Sequence, residues 1–331
     1  MTTNLLRMCP GALLPVAALL LATAVIAQEN DWQLSYTIDG QPDFQGVWAN
    51  NSITPLQRAE GFETRELLND DEYARLRAGV AEIAQGGGDA QFGDGFFNAL
   101  VTGTVQSYDP STGNYDQTWM SDRNLEKRTS LINDPPNGRL PDYTAAAQVR
   151  IDARVQWIEE HPADSWTDRP LSERCITYGM PYLLAGYNSY FHIVQSRDHV
   201  VIVQEMIHDV RIIPLVEKPH LDERIRLWHG DSRGYWDGNT LVIETKNFAD
   251  VSELMGAQGN RLFTEKFTRT AQDNLQYEFT IDDEETWTNP WTARINYSRS
   301  VDPIFEYACH EGNYGLFGIL SGHRAQERAG E

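Results

Sequence analysis

The chain reads as mainly β: an antiparallel meander closing into a barrel, with two peripheral helices and a long irregular N-terminal region. Three observations predict this. Through most of the second half apolar residues alternate with polar ones at period two, turn signals separate the runs at short intervals, and no helical pattern intervenes. Parallel strands need crossovers of about a dozen residues or more, so these short connections exclude a doubly wound parallel sheet. A closed or nearly closed barrel of roughly eight strands is the economical solution, and one of that size can hold a small ligand in its lumen. An open twisted sheet packed on the two helices is the second arrangement that fits.

Residues 1–27 read as a signal peptide. Arg7 is the only charged residue before an apolar run from Ala12 to Ile26, which Pro15 interrupts, and the small residues Val25 and Ala27 set a cleavage point that leaves Gln28 as the mature start. That run falls short of the roughly 20 apolar residues a membrane span requires, and no later stretch reaches this length. The expectation is a periplasmic or secreted chain with no stable membrane span. Residues 28–331 then form a single domain, with 28–180 rich in helix and loop and 181–331 forming the barrel.

Phe44 to Trp48 reads as a short strand. Asn69 followed by Asp70, Asp71 and Glu72 is a helix start with acids on the positive end of the dipole, and this helix runs to about Gln85. Gly86-Gly87-Gly88 stops it, and the stretch on to Gly113, rich in Gly, Asp, Ser and Phe, reads as a long irregular loop or lid. A second helix runs from Thr144 to Glu160, with Ala145, Val149, Ala153 and Trp157 on one face, and ends at His161-Pro162.

After Pro181 the period changes to two. Tyr190 to Gln195, Val200 to Met206, Val210 to Leu215 and Ile225 to Trp228 read as strands, and Gly238-Asn239 between Trp236 and Leu241 is a two-residue hairpin signal. Leu262 to Thr270 and Leu275 to Asp282 flank another hairpin at Ala271–Asn274, and Trp291 to Ser298 adds a further strand. Leu275, Tyr277, Phe279 and Ile281 alternate with Gln276, Glu278 and Thr280, so one face is dry and the other wet.

Composition narrows the function. There are 27 Lys+Arg against 48 Asp+Glu, a formal net charge of −21, and no basic cluster, which excludes nucleic acid as a partner. The 9 Trp, 14 Tyr and 12 Phe supply enough bulk for a sizeable core. Cys9 leaves with the signal. Cys175 and Cys309 remain, and in an oxidising compartment the simplest outcome is one disulfide closing 134 residues, worth about 5 kcal/mol on the chain-entropy model; two separate buried thiols are the alternative.

Three stretches resemble, as a set, a large and uncharacterised family of exported bacterial proteins: Arg128-Thr-Ser-Leu-Ile-Asn-Asp-Pro-Pro-Asn-Gly-Arg139, Gly230-Asp-Ser-Arg-Gly-Tyr-Trp-Asp-Gly-Asn-Thr-Leu-Val242 and Glu306-Tyr-Ala-Cys-His-Glu-Gly-Asn-Tyr314. The likeness spans nearly the whole mature chain and transfers no activity. Gly46-Val-Trp48 is similar to the Gly-x-Trp opening of lipocalins, which agrees with a lipocalin-like barrel.

Familiar catalytic signatures are missing: no phosphate-cradling glycine loop, no Gly-x-Ser-x-Gly elbow and no dinucleotide fingerprint. Metal-ligand spacing is poor as well, since His310-Glu311 has no second histidine one turn on and His229-Gly230-Asp231 stands alone, so a site without metal or cofactor is expected. The first candidate is Glu205-Met-Ile-His208-Asp209-Val-Arg211, with His208 as general acid or base, Glu205 or Asp209 orienting it and Arg211 holding an anionic or phenolic oxygen; a solvated hairpin turn is the plainer reading. The second is Glu265, which shares a face with Phe263 and Phe267 and would be a desolvated proton shuttle, or else pair with Arg269. The third is Cys309-His310-Glu311, where a disulfide would fix the direction of the imidazole. Tyr187, Asn188, Trp228 and Trp236 could line a pocket or pack in the core.

The function these residues predict is an exported, cofactor-independent lyase or isomerase, working by acid–base chemistry on a hydrophobic, aromatic or phenolic small molecule in a barrel pocket. A non-catalytic periplasmic carrier with the same barrel is the competing reading. The oligomeric state is left open.

Overall fold

The sheet is built as the alternation requires. In the computed structural model, residues 32–59, 61–62, 64–86, 94–103, 123–183, 185–252 and 254–330 are described; the signal-peptide reading and most of the Gly86 to Gly113 stretch lie outside them. Residues Gln33–Glu331 make one compact unit. Ten strands are seen among the described residues: β1 Gly46–Ala49, β2 Ile132–Asp134, β3 Tyr190–Gln195, β4 His199–Gln204, β5 Val210–Pro214, β6 Asp231–Asp237, β7 Thr240–Lys246, β8 Leu262–Ala271, β9 Asn274–Asp282 and β10 Trp291–Ser300. They form one sheet in the order β5-β4-β3-β1-β10-β9-β8-β7-β6, with β2 also on β10 and every pairing antiparallel.

The hydrogen-bonded path is open: no ladder joins β5 to β6 among the described residues. The two edges nevertheless touch through side chains. A Cβ at Gly234 in β6 would lie 2.9 Å from Leu215 Cδ2 and 3.0 Å from Ile213 Cγ2, so only glycine lets the two edges approach this closely.

Register fixes the dry face. Glu265 stands opposite Phe279 and Ile243, Phe267 opposite Tyr277, and Tyr277 opposite Ile295, so the period-two residues of β7 to β10 converge on one interior. Phe267 packs tilted against Tyr277 at 4.7 Å, and Tyr277 stacks on Tyr297 at 5.3 Å between ring centroids. Phe263 packs on Phe248 and Phe279, and Trp236 sets its ring edge-on to Phe44. Phe263, Phe267 and Trp236 are thus part of the packed core or its rim.

Four α-helices are seen among the described residues: α1 Asp70–Gly86, α2 Asp94–Thr102, α3 Ala145–Glu160 and α4 Tyr314–Ala329. The start of α1 is a reciprocal cap, with Asn69 Oδ1 accepting from Glu72 N at 2.9 Å and Glu72 Oε2 accepting from Asn69 N at 2.8 Å. Helix α2 corrects the reading of 86–113 as one irregular loop. Its Phe97, Leu100 and Val101 are buried with Leu76 and Ile83 of α1 in a second small core, and Gly79 lets Leu100 approach α1.

Two further expectations are corrected. Ile225 to Trp228 is not a strand: these residues cross the surface exposed, with a single bridge from Leu227 to Phe248. On α3 the predicted apolar face points outward, leaving Val149 70% and Trp157 48% exposed. The helix instead turns Ala147, Arg150 and Ile151 inward, because it borders a charged cleft rather than the core. Helix α4 was not legible, since Gly315, Gly318 and Gly322 read as breakers and none of its residues is buried. The disulfide is formed between Cys175 and Cys309.

Candidate functional site

One hairpin distributes three ionised side chains to three places. Between β4 and β5 the chain reverses through Ile207 and His208, both at positive φ (58° and 47°), a conformation that costs a β-branched residue about 1–2 kcal/mol. Burial of Met206 and Ile207 holds the turn. The two flanks then send Glu205, Asp209 and Arg211 in different directions.

Arg211 enters the interior. Its guanidinium donates to both oxygens of Glu265, at 3.0 and 2.6 Å, and to Ser232 Oγ at 3.1 Å, while Tyr277 Oη donates to Glu265 Oε1 at 2.9 Å. Both charged side chains are sealed from solvent. Burial, the largest single effect, would lower the Arg211 pKa, but the Glu265 carboxylate and the Tyr182 phenol together outweigh it and keep the guanidinium charged. Burial also pushes the Tyr182 phenol up to about 12 and, helped by the charge of Glu265, raises Tyr277 and Tyr297 well above their ordinary value. The interior therefore holds a paired carboxylate among neutral phenols. Arg211 grips Glu265 rather than a ligand oxygen, and Glu265 pairs with Arg211 rather than with Arg269, which donates to the carbonyls of Asp43 and Gln272.

Glu205 ties loops together, accepting from Asn188 Nδ2 at 2.6 Å and from Phe305 N at 3.2 Å. His208 is exposed, with Nδ1 3.1 Å from Tyr307 O, and so does not meet Glu205, Asp209 or Arg211. His310 and Glu311 are exposed in the turn before α4. Tyr187 is partly buried beside this region, where its phenol helps raise the pKa of Tyr307 after burial has done so first. The proposed catalytic residues are thus spread over three environments.

Asp209 leads to a grouping that the sequence did not disclose. Its Oδ2 accepts from Thr177 Oγ1 at 2.8 Å and from Tyr178 N at 3.1 Å, and stands 3.4 Å from His229 Nε2. Thr177 Oγ1 lies 2.6 Å from His229 Nε2 and accepts from Gly179 N at 2.8 Å. A hydroxyl has one proton. Since Thr177 gives it to Asp209, the short contact to His229 requires a proton on Nε2. Thr177 was missed and His229 was set aside as an isolated histidine because both lie far from Asp209 in sequence, and neither spacing nor periodicity joins them.

Thr177 also lines a cleft of about 950 Å³ between α3, the 167–180 segment and the 250–261 loops. Five arginines line it, Arg150, Arg154, Arg169, Arg174 and Arg261, against the carboxylates of Asp168 and Asp250. Only Arg169 is answered by a carboxylate, Glu173, at 2.7 Å; among the described residues the other four form no ion pair. Arg261 is the most deeply set: its guanidinium lies 3.8 Å from the centroid of Phe248, and burial pushes its pKa down to about 10, so it is charged at neutral pH. Ile151, Ile158, Tyr178 and Trp228 give the cleft its apolar walls. Trp228, expected in the lining of a barrel pocket, lies instead in the wall of this cleft. A second concavity of about 680 Å³ has the opposite sign, with Glu223, Asp282, Asp283, Glu284 and Glu285 against Arg226 and Lys246.

No family model, curated protein or solved structure matches the chain.

Proposed function

We propose that this protein is exported and acts on an anionic small molecule with a flat apolar body, bound in the cleft beside α3, by acid–base chemistry without a redox or nucleotide cofactor. The observation that carries the reading is the set of four guanidinium groups that form no ion pair among the described residues, in one cleft of a chain whose net charge is −21. A protein this acidic repels anions from most of its surface, so a cationic recess focuses them. Guanidinium suits carboxylate or phosphate oxygens in bidentate geometry, while Trp228 and Tyr178 supply faces for an aromatic body. His229, backed by Asp209, is the proton-holding group, and Thr177 is its contact with the cleft wall.

The same reading takes the sheet as a barrel whose last seam is made by side chains, with Arg211 reaching Ser232 and with Ile213 and Leu215 against Gly234. Its interior serves as scaffold and its outer face as the site.

A binding protein without turnover is the second reading. It is favoured by the depth of Thr177, which is 2% exposed and places the imidazole behind the wall of the cleft. The experiment is a calorimetric and turnover screen of aromatic carboxylates against matched neutral phenols. Preference for the acids, lost in Arg261→Met, supports the site. Turnover lost in His229→Asn with affinity retained supports the enzyme, and binding with no turnover in either protein supports the carrier. Equal affinity for acids and neutral phenols would sink the site itself.

A further inference from the structure

A cluster of ligating side chains away from the cleft joins the turn after α3 to the second half of α4. Asp164, His323 and Glu327 bring one oxygen or nitrogen each within 4.8 Å of one another. His323 Nε2 stands 3.3 Å from Asp164 Oδ1 and 3.7 Å from Glu327 Oε1. With metal–ligand bonds of about 2.0–2.2 Å, neighbouring ligands of a tetrahedral ion lie about 3.3–3.6 Å apart. We propose that these three side chains hold a first-row divalent cation, with Zn²⁺ the best fit, and that the ion pins α4 to the turn after α3.

The surroundings suit that role. His161 Nδ1 lies 2.7 Å from Asp164 Oδ2, the oxygen turned away from His323, and its ring stacks on Trp157 at 4.0 Å. It is placed to orient the carboxylate, as outer partners of metal ligands do. His323 and Glu327 are one turn apart on α4 and share a face. One imidazole with two carboxylates favours a transition ion over Ca²⁺, which takes oxygen ligands only.

The ion would also have structural work to do. Helix α4 has no fully buried residue: Leu316, Leu320, His323 and Arg324 are partly buried on one side while Tyr314 is 80% and Phe317 73% exposed, and a 16-residue helix with so little burial is marginal in water. It is held at its start by Asn313 Nδ2 donating to Glu173 O at 2.8 Å, and further on by the Asp164 cluster. Arg324 is the competing cation. Its Nη2 lies 2.9 Å from Glu327 Oε1 and 3.8 Å from Asp164 Oδ1, and the group is retained by the carbonyls of Ala163 and Asp164. Guanidinium and metal draw on the same two carboxylates, so removing the first should favour the second.

The test is calorimetric titration of the full chain, free of any histidine tag, with Zn²⁺ and with Ca²⁺ as control, alongside hydrogen exchange of residues 314–329. Expected are one Zn²⁺ per chain with Kd on the order of micromolar, slowed exchange in α4, and Ca²⁺ binding at least about 100-fold weaker. His323→Ala and Glu327→Gln should each weaken Zn²⁺ at least about 10-fold, His161→Ala about 10–100-fold, and Arg324→Gln should strengthen it. These side chains are partly exposed, so matching circular dichroism without metal is expected, and either of the first two variants suffices if the other misfolds. Absence of Zn²⁺ binding, or Zn²⁺ affinity unchanged in both His323→Ala and Glu327→Gln, overturns the proposal.

Discussion

Arg211 and Arg261 are both buried, and the chain treats them in opposite ways. Arg211 meets a carboxylate face to face, with both Glu265 oxygens in reach, a serine hydroxyl on one side and a tyrosine hydroxyl completing the carboxylate. Arg261 has an aromatic face at 3.8 Å and one backbone acceptor, Gln258 O at 2.7 Å; among the described residues it forms no ion pair, and the charge of Asp283 offsets only part of the effect of burial. The pKa of the first is raised by its partner against the effect of burial, and that of the second is lowered by burial. A buried charge that is fully answered belongs to the scaffold. One that lacks an ion pair at the wall of a cleft is what the proposed anion site rests on.

The largest effect should come from breaking the answered pair. Glu265→Gln strands the Arg211 guanidinium in the sheet interior and should cost about 3–5 kcal/mol, read from urea unfolding. Arg211→Met with Glu265→Leu removes both charges and should recover most of the loss; a double variant as unstable as the single one would mean that the pair is more than scaffold. Next comes the disulfide. Cys175→Ser with Cys309→Ser opens a 134-residue loop and should lower stability by about 2–5 kcal/mol, with a matching fall in Tm.

Arg261→Met sharpens the contrast from the other side. It should leave Tm level or raise it, because it sheds a desolvated charge, while weakening an aromatic carboxylate at least 10-fold, or about 1.4 kcal/mol. A large fall in Tm would place Arg261 with Arg211 as scaffold. The smallest effect concerns α1. Arg65 hydrogen-bonds Glu72 and lowers its pKa below the usual value, so the cap is fully stabilising above about pH 4.5 and is lost as pH falls through the depressed folded value. Glu72→Gln should cost about 1 kcal/mol at pH 7 and flatten the acid limb of the unfolding curve.

The strands were legible because their cause is local. Leu275, Tyr277, Phe279 and Ile281 alternate without a break, and all four are fully buried where the pleat requires. The α1 start was legible for the same reason, since Asn69 and Glu72 lie within one turn of each other. Helix α3 shows where local reasoning fails: its spacing gave a helix with the right ends, but the choice of face depended on what lay beneath, and that was the arginine cleft. Among the candidate residues, burial of Arg211 and Glu265 followed from their apolar neighbours, whereas their pairing spans 54 positions and depends on β5 meeting β6 to β8. His208 looked chemical because it stood between acids in the sequence, but it sits exposed in the turn with Nδ1 near Tyr307 O, away from those acids.

The sequence by itself determined a β meander, its hairpins and dry face, the first helix cap and a strong negative charge, because each depends on residues a few positions apart or on composition. The tertiary structure alone decided which polar groups answer one another: Arg211 with Glu265, His229 with Thr177 and Asp209, and four cleft arginines that form no ion pair among the described residues. Electrostatic partnership depends on distance in space and on desolvation, and neither exists until the chain has closed on itself.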